Sequence, residues 1–293
     1  MAELKPMQVG EVLDGAFTVY RRHFGLFLKL SVAVMWLPFA LAVYFRLRFG
    51  GATAEEVITV LSSGLLSFML LGLVFVVIYG VAALLLQAGT IHVISASYLG
   101  HDPRLGDALA LGRSRIVPLL LVGIAKFILV CLISLVGGLC VVALTLLARS
   151  AGSVLAGLVA VVGAAALVWF IPFVLCAYGV TAPVVVLEDL TSSFDAFRRS
   201  WALTRSFKLK VLGLMLIAVL LADVVPPLIV SLLTGWLALQ WPVLWPAVVT
   251  INALVPLVLA PIVPCILTLL YYDLRVRREA FDLQVLGARL GIL

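Results

Sequence analysis

Apolar runs of about 20 residues or more recur along nearly the whole chain, and a helix of that length crosses the roughly 30 Å hydrocarbon core of a bilayer. Of 293 residues, 65% are hydrophobic and 12% charged, whereas soluble domains are about half apolar and a quarter charged. Little is left for a water-facing domain. The pattern predicts an all-α fold, a polytopic transmembrane helical bundle of about six spans in a single membrane domain over residues 1–293. Spans are expected near 24–44, 65–94, 116–147, 154–187, 211–233 and 243–272.

Short cytoplasmic amphipathic helices are expected near 9–22, 103–114 and 192–206. In the first, Val9, Val12, Leu13, Ala16, Phe17 and Tyr20 fall at helical spacing, and Arg21, Arg22 and His23 follow. The three segments echo one another. Each has an acidic residue, a small then a large apolar one, and a basic cluster: Asp14, Ala16, Phe17, Arg21, Arg22; Asp107, Ala108, Leu109, Arg113, Arg115; Asp195, Ala196, Phe197, Arg198, Arg199. Either a shared interfacial role or duplication of a helix-plus-span unit accounts for this.

Orientation follows from the basic residues. Alternating sides along six spans puts fifteen lysines and arginines on one face, Lys5 and Arg289 among them, against Arg46, Arg48 and Arg149 on the other. The positive-inside rule makes the first face, with both termini, cytoplasmic. Trp236, Trp241 and Trp245 then lie in an uncharged outer loop, where interfacial aromatic anchors belong. The net charge of +6 flanks apolar runs, so the partners it implies are membrane lipids with anionic headgroups on the cytoplasmic side. Without interleaved aromatics it gives no nucleic-acid surface. Met1 to Gly10 lacks the apolar stretch of a cleaved signal peptide.

Three features break the uniformity of the spans. The run from Val57 to about Leu99 is twice the bilayer thickness as one helix and must tilt, protrude or break, with Ser62, Ser63 and Gly64 as its polar end; the Gly50-Gly51 turn precedes it. Pro246, Pro256, Pro261 and Pro264 in the sixth span imply kinks or a broken helix whose freed carbonyls need partners. Gly152, Ala156, Ala160 and Ala164 place small side chains every four residues on the fourth, suiting tight packing within the bundle or contact with a membrane protein partner or second copy.

Chemistry-bearing residues are few. Lys126 and Asp223 are ionisable groups near mid-span, expected to face the bundle or a wet cavity and either to pair with each other or to be satisfied separately, Lys126 by snorkelling and Asp223 by freed backbone near Pro226-Pro227 or by outer-side water. Glu188, Asp189 and Asp273 sit at span ends beside Arg198, Arg199, Arg275, Arg277 and Arg278. Carboxylate–guanidinium pairs are expected there, with spare arginines free to bind a lipid phosphate. His23, His92 and His101 are too scattered for a metal, and Cys131, Cys140, Cys176 and Cys265 read as small core residues. No cofactor motif and no catalytic residue is identified, and an enzyme is not expected.

Gly10 to Phe17 with Arg21 to Phe24, Leu187 and Glu188 with Phe194 to Thr204, and the tail Leu269 to Glu279 resemble the membrane domain on the amino-terminal side of some bacterial glycerophosphoryl diester phosphodiesterases. The resemblance covers essentially the whole chain and is most specific in the tail. It implies a stand-alone bacterial inner-membrane domain, multi-pass, without the catalytic barrel, whose histidines and carboxylates have no counterparts here. The expected function is non-enzymatic handling of lipid or amphiphile, as a transporter-like bundle or scaffold. The alternative is an accessory subunit that anchors or regulates a separately encoded partner, and an intramembrane lipid-modifying enzyme stands behind both.

Overall fold

The computed structural model describes residues 6–49 and 54–279. Lys5, Arg289 and the Gly50-Gly51 turn lie outside the described residues. Eleven α-helices are formed among them: α1 (Val9–Arg22), α2 (Phe24–Phe49), α3 (Ala54–Leu99), α4 (Leu105–Ala148), α5 (Ser153–Ala177), α6 (Thr181–Leu187), α7 (Asp195–Thr204), α8 (Lys208–Val219), α9 (Val225–Gln240), α10 (Trp245–Leu259) and α11 (Ile262–Glu279). Six stretches are long and apolar enough to cross a membrane: Phe24–Arg48, Gly64–Leu99, Leu105–Ala148, Ser153–Leu187, Lys208–Gln240 and Pro242–Glu279. The chain is a multi-pass, all-α membrane protein.

Within what reads as one membrane domain, contacts divide the chain into two compact units. One comprises residues up to Ile116 together with those from Leu214 onward, the other Val117–Gly213.

In the first unit, α2 packs on α3 and α10, and α11 packs on α1 and α3. The long second run breaks where its polar end predicts: Gly64 leaves helical geometry at φ −150°, ψ 32°. At its other end Gly100 takes φ 85°, and the chain turns back with the His101 N–H donating to the Ala96 carbonyl at 2.8 Å; the left-handed conformation suits glycine. The separate amphipathic helix expected near 103–114 is instead the first part of α4, continuous through Pro118. Only Arg115 lies between the two expected segments, with no turn residue to part them, and the lone proline removes one hydrogen bond without stopping the helix.

The sixth span is broken. Pro261 has no N–H to extend α10, and the chain turns at Ala260–Pro261 before α11 begins. Carbonyls in the last turn of a helix lack intrahelical donors, a costly state inside a membrane protein. The Tyr20 hydroxyl of α1 donates to the Val258 carbonyl at 2.7 Å. Burial first, then Cys265, pushes the Tyr20 phenol up to about 12, so it stays a donor throughout the physiological range.

The second unit repeats the device. Its span breaks after Ala177, and α6 follows, with Thr181 to Val186 all buried. From α7, Ser200 Oγ donates to the Ala177 carbonyl at 2.9 Å and Thr204 Oγ1 at 3.1 Å. The hairpin of α4 and α5 closes at two glycines, since a Cβ on Gly163 would come within 2.7 Å of Val141 and one on Gly137 would overlap Leu167. The four-residue stripe contributes less than its spacing suggests. Ala156 is buried and Ala160 half-buried, but Gly152 and Ala164 are exposed.

The amphipathic echo has a packing basis. Ala16, Ala108 and Ala196 are all buried, each followed by a half-buried Phe17, Leu109 or Phe197. The small residue lets the helix approach, and the larger one lies along the seam. Two of the cysteines read as core residues, Cys131 and Cys140, are exposed, whereas Cys176 and Cys265 are buried. An apolar run has no single inward face when its outer solvent is lipid.

Tyr20→Phe is expected to lower stability by about 1–2 kcal/mol by leaving the Val258 carbonyl without its donor. Denaturant or thermal unfolding in micelles measures this, and an unchanged midpoint would show that the break does not depend on the phenol.

Candidate functional site

The first unit gathers most of its polar chemistry at one end. Asp273 of α11 is fully buried; its carboxylate accepts from the Met7 N–H at 2.7 Å and from Arg277 Nε at 3.0 and 3.1 Å. Arg277 also donates to the Met7 carbonyl at 2.7 Å, so one carboxylate and one guanidinium clamp both backbone groups of the segment leading into α1. Beside them the Ser95 and Tyr272 hydroxyls share a hydrogen bond at 2.7 Å, and the Tyr98 and Tyr272 rings stack. Arg275 pairs with Glu279 at 3.2 Å and donates to the Tyr271 hydroxyl at 3.3 Å. Arg278 is half-buried on the same helix. The buried carboxylate is satisfied by hydrogen bonds, as burial requires. This end is a structural clamp.

His23, at the junction of α1 and α2, shares a hydrogen bond of 3.0 Å with Ser97 Oγ. Burial, then Arg22, lowers its pKa from 6.5, with Asp102 opposing.

In the second unit, Arg199 donates to both oxygens of Glu188, at 2.8 and 3.2 Å, and Asp189 beside them is exposed. Arg198 is 88% exposed and lies 3.8 Å from Asp195. Lys208 sits over the Phe173 and Trp201 rings at 4.7 and 4.4 Å. Among the acids and arginines at span ends, Glu188 thus pairs with Arg199 and Asp273 with Arg277.

Lys126 and Asp223 belong to different units. Lys126 is half-buried. Asp223, expected to face the bundle, is exposed. It lies in a π-helical turn, Leu220–Val224, directly before Pro226-Pro227, where the Val225 N–H reaches back to the Leu220 carbonyl. The wider turn accommodates the prolines and offsets the face that regular helical spacing assigns to Asp223.

A cavity of about 250 Å³ lies between α2, α3 and α10 of the first unit, at the level of the sixth-span break. Met35, Phe39, Ala42 and Arg46 line it from one face of α2, Tyr79 from α3, and Asn252 and Ala253 from α10. The chain's single asparagine, Asn252, donates through Nδ2 to Thr234 Oγ1 at 2.7 Å and to the Val248 carbonyl at 2.9 Å. Its Oδ1 has no partner among the described residues and remains an acceptor. Arg46 is exposed, without a hydrogen bond or ion pair among those residues. Sequence spacing misses this constellation, although a lone asparagine and an arginine at span depth are the signals that mark it. No group of three or more His, Cys, Asp or Glu that could hold a metal occurs among the described residues.

Two outcomes test the polar end. Asp273→Asn is expected to cost about 3–5 kcal/mol, the penalty of breaking a buried pair, and less in the Arg277→Gln background because the partners share the interaction; a double-mutant cycle in micelles measures the coupling. The lowered pKa of His23 means that the unfolded chain takes up the proton first as pH falls. Stability therefore declines from about pH 6.5 downward, and His23→Gln should flatten that decline in unfolding scans from pH 7.5 to 5.

The family model that matches is described as a domain of unknown function (DUF7847) and covers residues 7–272. No curated protein and no solved structure matches the chain.

Proposed function

The chain belongs to the family described as a domain of unknown function (DUF7847), and from its geometry we propose a non-enzymatic membrane protein that takes a lipid or other amphiphile into the cavity at the broken sixth span. One observation carries this reading. The cavity places the guanidinium of Arg46 and the amide oxygen of Asn252, neither with a partner among the described residues, beside otherwise apolar and aromatic side chains. A few placed polar groups in an apolar concavity suit a molecule with a polar head and an apolar body. Broken helices at such a site are the usual means of exposing polar groups within a membrane.

On this proposal the protein sits in the inner membrane of a bacterium with both termini in the cytoplasm, as its charge distribution favours. The phosphodiesterase-associated membrane domain remains the kinship suggested by its three motif segments. A second reading, an accessory subunit, draws support from the exposed Gly152, just before α5, and the exposed Ala164 on it, which leave room for another helix. Stoichiometric co-purification of a membrane partner that is lost on Ala164→Leu would favour it.

The cavity reading is tested by native mass spectrometry of the protein released from nanodiscs. Ala253→Trp, which fills the cavity, and Arg46→Gln, which removes its charge, should each lower the retained lipid by roughly tenfold, about the effect of one charge-assisted hydrogen bond. Equal retention by all three proteins would sink the reading.

A further inference from the structure

We propose that a groove on the opposite face of α2 binds an anionic phospholipid, with one acyl chain lying between α2 and α3 and the phosphate on Arg113. The groove encloses about 500 Å³ and is lined on α2 by Ala33, Trp36 and Leu37, on α3 by Val77 to Leu85, and at one end by Leu109 and Arg113 of α4. These α2 residues alternate with Met35, Phe39 and Ala42 of the cavity, so the helix presents one face to each, and Pro38 borders both. The two sites are distinct, and the groove does not depend on the cavity being occupied.

The occupant follows from the lining. Along α3 the groove covers nine residues, Val77 to Leu85, about 12 Å of helix, and its walls there are aliphatic. A peptide backbone would find no hydrogen-bonding partner along such walls, whereas an acyl chain needs none. The charged group is at the end. Arg113 is exposed and has no hydrogen bond or ion pair among the described residues. No acidic side chain lines the groove, so its electrostatic complement is an anion. The planar guanidinium fork matches a phosphate, and a headgroup that adds no cation of its own preserves the complementarity.

The fold holds Arg113 at this end through close packing of α4 on α3. A Cβ on Gly112 would approach the Leu85 carbonyl to 3.3 Å, and one on Gly89 would lie 3.5 Å from the Ala108 carbonyl. The buried Ala108 and the half-buried Leu109 of the amphipathic echo thus set the start of α4 across α3. The arginine four residues beyond Leu109 comes to the groove mouth on the same helix face.

Photocrosslinking tests this on the full chain in nanodiscs containing phosphatidylcholine and a trace of diazirine-acyl phosphatidylglycerol, with labelled residues mapped by mass spectrometry. Labelling is expected to concentrate on Trp36, Val77 and Val81. Arg113→Gln should lower it roughly tenfold, Arg113→Lys should retain part of it, and Ala33→Trp should abolish it by filling the groove. The same photolabel on phosphatidylcholine should give severalfold less at these positions. Labelling that survives Arg113→Gln, spreads evenly over the spans or ignores headgroup charge overturns the proposal. Arg46→Gln is expected to leave groove labelling intact. The cavity reading fails if lipid retention is equal in all three proteins of its own test, an outcome that leaves groove labelling unaffected.

Discussion

A backbone carbonyl left without a donor inside a membrane protein is the constraint on which this architecture turns. Both units break a span, and in both a short amphipathic helix supplies the missing donor: Tyr20 of α1 to Val258, and Ser200 with Thr204 of α7 to Ala177. A carbonyl on the surface of a soluble helix would find water. Here the break is compatible with burial because a hydroxyl arrives from a neighbouring element. The amphipathic helices are therefore structural parts of the spans they cover as well as surface anchors, and the buried alanine in each lets them come close enough.

Holding α1 over the break requires that its start be fixed, which the Asp273–Arg277 clamp does by binding both backbone groups of Met7. Around that clamp, α11 is buried almost continuously from Cys265 to Leu274, and Ser95 and Tyr98 of α3 close in from the side. The first unit is consequently packed tightly at one end. Farther along, the residues of α3 from Leu65 to Val77 are largely exposed, as lipid-facing side chains are in a chain seen without its bilayer. Rigidity at one end and open lateral faces along the spans are complementary properties: a fixed collar lets α2, α3 and α10 separate enough to leave a cavity and a groove without losing the fold.

Much of this was legible in the sequence because its causes are local. Apolar length marks the six spans, four prolines mark the last as kinked or broken without saying which of them ends the helix, and Ser62-Ser63-Gly64 marks the polar end where the second is interrupted. Spacing also identifies Asp273 and Glu188 as acids beside arginines. What spacing does not reveal is which arginine ends up paired. Arg277 lies one turn beyond Asp273 on the same helix, and Arg199 reaches Glu188 across a loop, whereas Arg113 and Arg46 have no such partner among the described residues. Depth alone relates Lys126 to Asp223 in the sequence, and depth fixes only one coordinate of a side chain. The π-helical turn changes the other for Asp223 by rotating the helix face. The small-residue stripe shows the same limit: the close contacts of α4 with α5 fall at Gly137 and Gly163, outside its register.

The position of Pro38 ties the two candidate sites to one element. A proline inside α2 removes the hydrogen bond its N–H would have made and disfavours a perfectly straight helix. It sits where the cavity on one face and the groove on the other adjoin. The face carrying Met35, Phe39, Ala42 and Arg46 runs toward the carboxyl end of α2, while the groove runs back toward α4 and Arg113. A guanidinium without a partner among the described residues therefore stands at the far end of each concavity, with a proline at their shared edge.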